Sequence, residues 1–218
     1  MHMRKRGLTV RFLLCGLGLL LTAAVGVVKA QDSAPDALVK GITQEVIAAI
    51  KQDKDIQAGN SKKVTDLVEA RVLPHFSFGH MTQLAMAVNW RKASPDQQRM
   101  LTQEFRALLV RTYSSALSSY RDQIIDYKPL RAKAEDTEVT VRSEVRQKGA
   151  QPVSIDYELE KTPAGWKVFD VKVGGVSLIT TYKDDFANQV RESGIDGLIK
   201  TLASKNRQSD SRNKTDKT

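Results

Sequence analysis

Near residue 122 the spacing of apolar side chains changes from a helical period to an alternating one, and no all-helical or all-strand architecture accommodates both. Upstream, Leu101, Phe105, Leu108, Thr112, Ala116 and Tyr120 recur on one stripe, widened by Leu109, Tyr113 and Leu117. Downstream, Val139, Val141, Ser143 and Val145 alternate with Glu138, Thr140, Arg142 and Glu144. Val153, Ile155, Tyr157 and Leu159 alternate with Ser154, Asp156 and Glu158. A third strand spans Trp166 to Val173, apolar at Val168, Phe169, Val171 and Val173, but its inward parity is not legible. The turn sequences Gln147-Lys148-Gly149-Ala150 and Thr162-Pro163-Ala164-Gly165 separate the three strands. Ile124 to Ala132 adds an edge strand, interrupted by Pro129 where an edge tolerates it. The expected class is α+β: an antiparallel meander of three or four strands with one apolar face, wrapped by helices.

The helices carry their own punctuation. Ser94-Pro95-Asp96-Gln97 combines an N-cap serine, a first-turn proline and a glutamine that completes a capping box. The helix that follows can run to about Arg121, roughly 40 Å by helical rise. Leu38, Ile42, Val46 and Ile50 mark a first helix after a short polar leader over residues 31–37. Gly59-Asn60 breaks it, and Ser61 caps a second helix bearing Val64, Leu67, Val68 and Val72. Pro74 ends that helix, because the residue before proline is pushed out of the helical region. A short helix with Met81, Leu84 and Ala85 precedes the long one. After Gly174-Gly175 come two more, one with Leu178, Ile179, Tyr182, Phe186 and Val190, the other with Ile195, Leu198, Ile199 and Leu202 beyond Gly194.

The N-terminus has a different logic. Arg4, Lys5, Arg6 and Arg11 precede an uncharged stretch from Phe12 to Val28, and Val28-Lys29-Ala30 offers small residues around a cleavage point. This is the pattern of a secretory signal peptide over residues 1–30. Cys15, the single cysteine, falls inside it, so no disulfide is expected in the exported chain. The net charge of +9 suggests nucleic-acid binding until it is located. Five of the basic residues lie in the signal, and five more, against two acidic ones, in residues 203–218. The body between them is balanced, at 24 basic against 23 acidic. Such a body has no reason to bind nucleic acid. Residues 31–202 are therefore expected to form one domain, followed by a disordered basic tail over residues 203–218 that lacks any large apolar residue.

Catalytic chemistry is missing from the pattern. His75 and His80 are the histidines of the exported chain, set five apart across a turn with no carboxylate near them in sequence, which predicts no metal site. No nucleophile elbow and no phosphate-binding glycine loop occurs. No catalytic residue and no cofactor is expected. What stands out is a surplus of apolar positions. Phe76, Phe78, Met81, Leu84, Met86 and Trp90 cluster before the long helix. Each such side chain belongs either to a solid core or to the wall of a cavity between sheet and helices.

Two stretches carry a resemblance to a known family. They are HFSFGHMTQLAMAVNWRKASPDQQRMLTQEFRALLVRTYSSAL and WKVFDVKVGGVSLITTYKDDFANQV, the second followed by the turn from Gly194 to Ile199. In them Trp90-Arg91 stands before Ala93-Ser94-Pro95; Gln98 leads into Phe105, Leu108, Leu109 and Tyr113; Trp166-Lys167-Val168 leads to Asp170-Val171, Gly175-Val176-Ser177-Leu178 and Tyr182. The chain resembles the MlaC/toluene-tolerance auxiliary family over about residues 38–204. It departs from the family pattern in two places: the family usually carries Gly near Ala87 and Arg where Lys183 stands.

The resemblance implies a cystatin/NTF2-like sheet wrapped by helices and a monomeric periplasmic phospholipid carrier. Such carriers exchange lipid between an inner-membrane ABC transporter complex containing an MCE-domain protein and an outer-membrane lipoprotein–porin complex, and so maintain outer-membrane asymmetry. A periplasmic chaperone or adaptor that binds apolar protein segments is the alternative. The expected lipid-binding wall combines Phe76, Phe78, Met81 and Leu84 with Leu101, Phe105, Leu108, Leu109 and Tyr113 of the long helix. Val139, Val141, Val153, Ile155, Tyr157, Val168, Phe169 and Val171 of the strands face them, with Leu178 and Tyr182 beyond the sheet.

Overall fold

A computed structural model describes residues 33–215; the expected signal peptide lies outside the described residues. The architecture is α+β, with an open antiparallel sheet of five strands in the order β1-β2-β3-β4-β5. The strands are β1 (Ile124–Tyr127), β2 (Glu138–Arg146), β3 (Val153–Thr162), β4 (Gly165–Val173) and β5 (Val176–Ser177). Each connection joins sequence neighbours, so the sheet is the expected meander. It has one strand more than expected, because Gly174-Gly175 turns the chain back instead of only ending the sheet. Both glycines have positive φ, 58° and 82°, as a two-residue hairpin turn requires, and Val173 pairs with Val176.

Alternation along β2 and β3 holds as the sequence predicts. Val139 pairs with Leu159, Val141 with Tyr157 and Val145 with Val153, all on one face. The opposite face is polar, with Lys172 and Glu158 paired at 2.7 Å. On β4 the alternation breaks. Asp170 pairs with Glu158 and Val168 with Leu159, leaving Phe169 as the extra residue of a β-bulge. The bulge explains why Val168 and Val171 share a face although two residues, Phe169 and Asp170, lie between them, and why the sequence does not reveal the parity of this strand.

Among the described residues there are six α-helices: α1 (Pro35–Gln52), α2 (Lys54–Gln57), α3 (Ser61–Arg71), α4 (Phe78–Met86), α5 (Pro95–Ser118) and α6 (Leu178–Thr215). Helix α1 begins inside the expected leader, with Pro35 in its first turn. Asn60, rather than Ser61, caps α3, its side chain accepting from the Lys63 amide. The capping box at Ser94 and Gln97 is present. Helix α5 stops at Ser118, short of Arg121. Helix α6 is kinked at Gly194, whose backbone is non-helical with φ 71°, so it consists of two helical segments in series.

Disorder from residue 203 is not what the structure shows: α6 continues helically past Leu202 as far as Thr215. Leu198, Leu202 and Asn206 lie on one stripe, and all three are buried. Asn206 donates to the Glu104 carbonyl at 3.0 Å and to its carboxylate at 2.6 Å, anchoring the helix to α5. The apolar pattern ends at Leu202, but the buried face continues through a polar residue, which is why hydropathy alone stopped too early.

The main solid core lies between α4, α5 and α6, centred on Met81, Leu101, Phe105, Phe186, Leu198 and Leu202. Phe105 meets Tyr182 and Phe186 edge-on, each at a centroid distance of 5.1 Å. Such geometry adds about 0.5–1.5 kcal/mol per pair to area burial. A second cluster sets Val39 of α1 against Val139, Val141 and Leu159 of the sheet.

Candidate functional site

Between the sheet, α1, α3 and the C-terminal half of α5 the apolar surfaces do not close on one another. They leave a cavity of about 480 Å³, within the range of small-molecule sites. Helix α1 contributes Val39, Ile42, Thr43, Val46, Ile47 and Ile50, its i, i+4 stripe and the flanking positions. Helix α3 and the turn after it add Val68, Val72 and Leu73; α5 adds Leu109, Val110, Tyr113, Ser114, Ala116 and Leu117. The sheet supplies Ile125, Val145, Ile155, Tyr157, Val168, Val171 and Val173.

Phe76 and Phe78 enter from the segment that follows α3, their rings stacked at 5.9 Å. That segment is held along β4, where the Ser77 amide donates to the Val168 carbonyl at 2.8 Å and Lys167 donates to the Pro74 carbonyl at 2.7 Å. It thereby covers backbone that β4 would otherwise leave unpaired, and aims Phe76 inward.

Among the described residues that line the cavity, none is charged. The polar ones are few and mostly occupied by the fold: Thr43 donates to the Val39 carbonyl at 2.8 Å and Tyr120 to the Gln123 carbonyl at 3.2 Å. Burial pushes the Tyr157 hydroxyl up to about 12. Burial likewise raises Tyr113 to about 12, helped by the neighbouring Tyr182 hydroxyl. Both stay neutral at physiological pH. Tyr113, Ala116, Ser119 and Val173 are the lining residues most exposed to solvent, and they mark the mouth. Val153 and Val176, 41% and 63% exposed, stand beside them at the same end of the sheet.

The structure brings together Phe76, Phe78, Met81, Leu109, Tyr113, Ile155, Tyr157, Val168, Val171 and Leu178, as the sequence reading grouped them. It places the other candidates elsewhere. Leu101 and Phe105 are fully buried in the solid core, with Leu108 and Tyr182 packed against it. Val139 and Val141 are sealed under Val39. Leu84 is 38% exposed and Val153 is outside the wall. Phe169, displaced by the bulge, stacks on His80 at 4.6 Å, while His80 meets Glu160 at 2.9 Å. Sequence reasoning missed the whole α1 wall. Its Leu38-Ile42-Val46-Ile50 stripe was legible, but nothing in it distinguishes a wall from core packing. No helix among the described residues is long and apolar enough to cross a membrane.

Comparison with known proteins connects this arrangement to others. The chain is 28% identical over 186 residues to the toluene tolerance protein ttg2D of Pseudomonas putida, covering 84% of this chain and 85% of that one. It is 25% identical over 161 residues to the intermembrane phospholipid transport system binding protein MlaC of Haemophilus influenzae, covering 70% of this chain and 75% of the other. A solved structure of a phospholipid-binding protein from Ralstonia solanacearum, in complex with a phospholipid, shares the fold with a TM-score of 0.74. It is 43% identical, covering 80% of this chain and 97% of that chain. The family model for MlaC protein matches residues 40–204, which hold the sheet and almost every residue of the cavity wall, and the chain belongs to that family.

Proposed function

We propose that this protein is a soluble periplasmic carrier that encloses the acyl chains of a phospholipid and moves it between membranes. The observation that carries the reading is a cavity lined by apolar side chains and by no charged one among the described residues. Relatives named for phospholipid transport and binding support it. Each methylene removed from water is stabilised by about 0.8 kcal/mol, so two tails of about thirty methylenes would cost roughly 24 kcal/mol to expose in transit. Transfer from a bilayer into an apolar cavity is close to neutral by comparison. Partners can then bias exchange in either direction, and no catalytic step is needed.

In this reading the headgroup remains in water at the mouth marked by Tyr113, Ala116 and Val173. Donor and acceptor are an inner-membrane ABC complex containing an MCE-domain protein and an outer-membrane lipoprotein–porin complex. The carrier acts as a monomer and has no enzymatic activity. Native mass spectrometry of protein purified from cells tests this. Bound diacyl phospholipid is the expected result. Empty protein that captures apolar peptides would favour a chaperone or adaptor, and lysolipid turnover would indicate an enzyme.

A further inference from the structure

The cavity has an open end and a closed one. Strand β4 runs along its side, with Val173 at the mouth and Val168 five residues inward, roughly 15 Å away by strand rise. At Val168 the wall passes into packed interior, and Phe76 stands at that junction. Phe76 is half-buried, lines the cavity and forms a parallel bridge with Val168. Among the described residues that line the cavity, it alone packs both against the core of α4, α5 and α6 and against the cluster beneath Val39. The ring is held in place. Phe78 stacks on it at 5.9 Å, Arg106 lies 5.9 Å from the Phe78 ring, and the Ser77 amide ties the backbone between the two rings to β4.

We infer that Phe76 is the stop that sets how long an acyl chain the cavity accepts, a reading that rests on the carrier function proposed above. The side walls are apolar and uncharged, so they hold every methylene alike and select no length. Selection by length needs a fixed end. A tail that reaches the ring without pressing on it moves from bilayer to cavity at little cost. A longer tail leaves its surplus outside the mouth, in water, where each methylene lowers occupancy about fourfold. Affinity is therefore flat up to a limiting length and falls steeply beyond it.

A length series tests the stop. The full chain, stripped of lipid, is mixed with vesicles holding equal amounts of phosphatidylglycerols of graded saturated tail length. Native mass spectrometry resolves each length by mass and reads the bound fractions. Wild type is expected to show a plateau, then a fall of about tenfold or more over the next two carbons per tail. Phe76→Ala is expected to move that fall to tails about two carbons longer, because the ring's space is opened to the chain. Phe76→Leu should move it less in the same direction, and Phe76→Trp should move it to shorter tails. A variant that merely loosened the fold would not shift the fall in opposite directions. A flat wild-type profile, or a fall at the same length in all four proteins, overturns the stop and leaves the carrier intact. Binding of no lipid by wild type overturns both.

Discussion

Helix α5 has two halves that look alike in sequence and behave differently. Around Leu101 and Phe105 its stripe is 0% exposed and locked against α4 and α6. From Leu109 onward the same stripe faces a cavity. The difference is made by what stands opposite. The first half meets Tyr182 and Phe186, whose rings fill the space edge-on, and the second meets α1 and a sheet face that stand off from it. One helix thus acts as a post in a solid core at one end and as a wall at the other. Rigidity at the first end holds the cavity open at the second, because packed interiors transmit strain and do not creep into nearby space.

The largest expected effect tests that division directly. Phe105→Ala removes a fully buried ring from the solid half, and such deletions cost about 3–5 kcal/mol. Leu117→Ala, in the half that faces open space, deletes contacts on one side only and should cost about 1 kcal/mol, well below the usual range for a core leucine. Urea denaturation of lipid-free protein measures both. Similar losses would mean that the two halves are packed alike. Lipid retention should show the reverse weighting, with Leu117→Ala changing it more per kcal/mol of lost stability.

A second contrast is between a tyrosine inside the wall and one at the mouth. Burial raises the Tyr157 hydroxyl to about 12 in the folded state, against about 10 in an unfolded chain. The folded state therefore holds its proton where the unfolded state has released it. The contribution of Tyr157 is complete below pH 10 and declines as pH rises from about 10 to about 12, by a total of roughly 2–3 kcal/mol. Tyr157→Phe should flatten that part of the stability profile. Tyr113→Phe should change it less, since water reaches Tyr113 at 36% exposure and screens the shift. Equal slopes in wild type and Tyr157→Phe would show that the hydroxyl is not held in a dry wall.

The elements were far more legible in the sequence than the site. Period and punctuation located the capping box at Ser94, the paired alternation of β2 and β3, and the break at Gly194. These signals are local, because a period of 3.6 or 2 reports which side of an element is apolar. Whether that side meets another surface or an empty space depends on partners distant in sequence. Leu101 and Leu109 are equivalent by pattern and belong to one core cluster, yet Leu109 also lines the cavity and Leu101 does not, because α1 and the sheet stand off from the later turns of α5. Phe169 shows a different failure: one inserted residue in β4 takes it off the face that counting back from Val171 and Val173 assigns it. Asn206 shows a third, a polar side chain extending a buried stripe through two hydrogen bonds.

The smallest expected effect concerns strain on the solid side. Ala87, which ends α4, is the one non-glycine described with positive φ, at 47°, and its amide closes the helix by donating to the Gln83 and Leu84 carbonyls. An L-residue held in such a region costs on the order of 1–3 kcal/mol, while glycine loses about 0.5–1 kcal/mol more backbone freedom on folding. Ala87→Gly should therefore stabilise the protein by about 1 kcal/mol, raising Tm by about 2–4 °C for a domain of this size. Lipid content should not change, since Ala87 lies outside the cavity wall, beside buried Met86 and Asn89. Thermal unfolding of the two proteins decides it. A lower Tm for Ala87→Gly would mean that packing of the Ala87 methyl outweighs the backbone strain. The α4 terminus would then belong with Phe105 among the contacts that hold the core rigid.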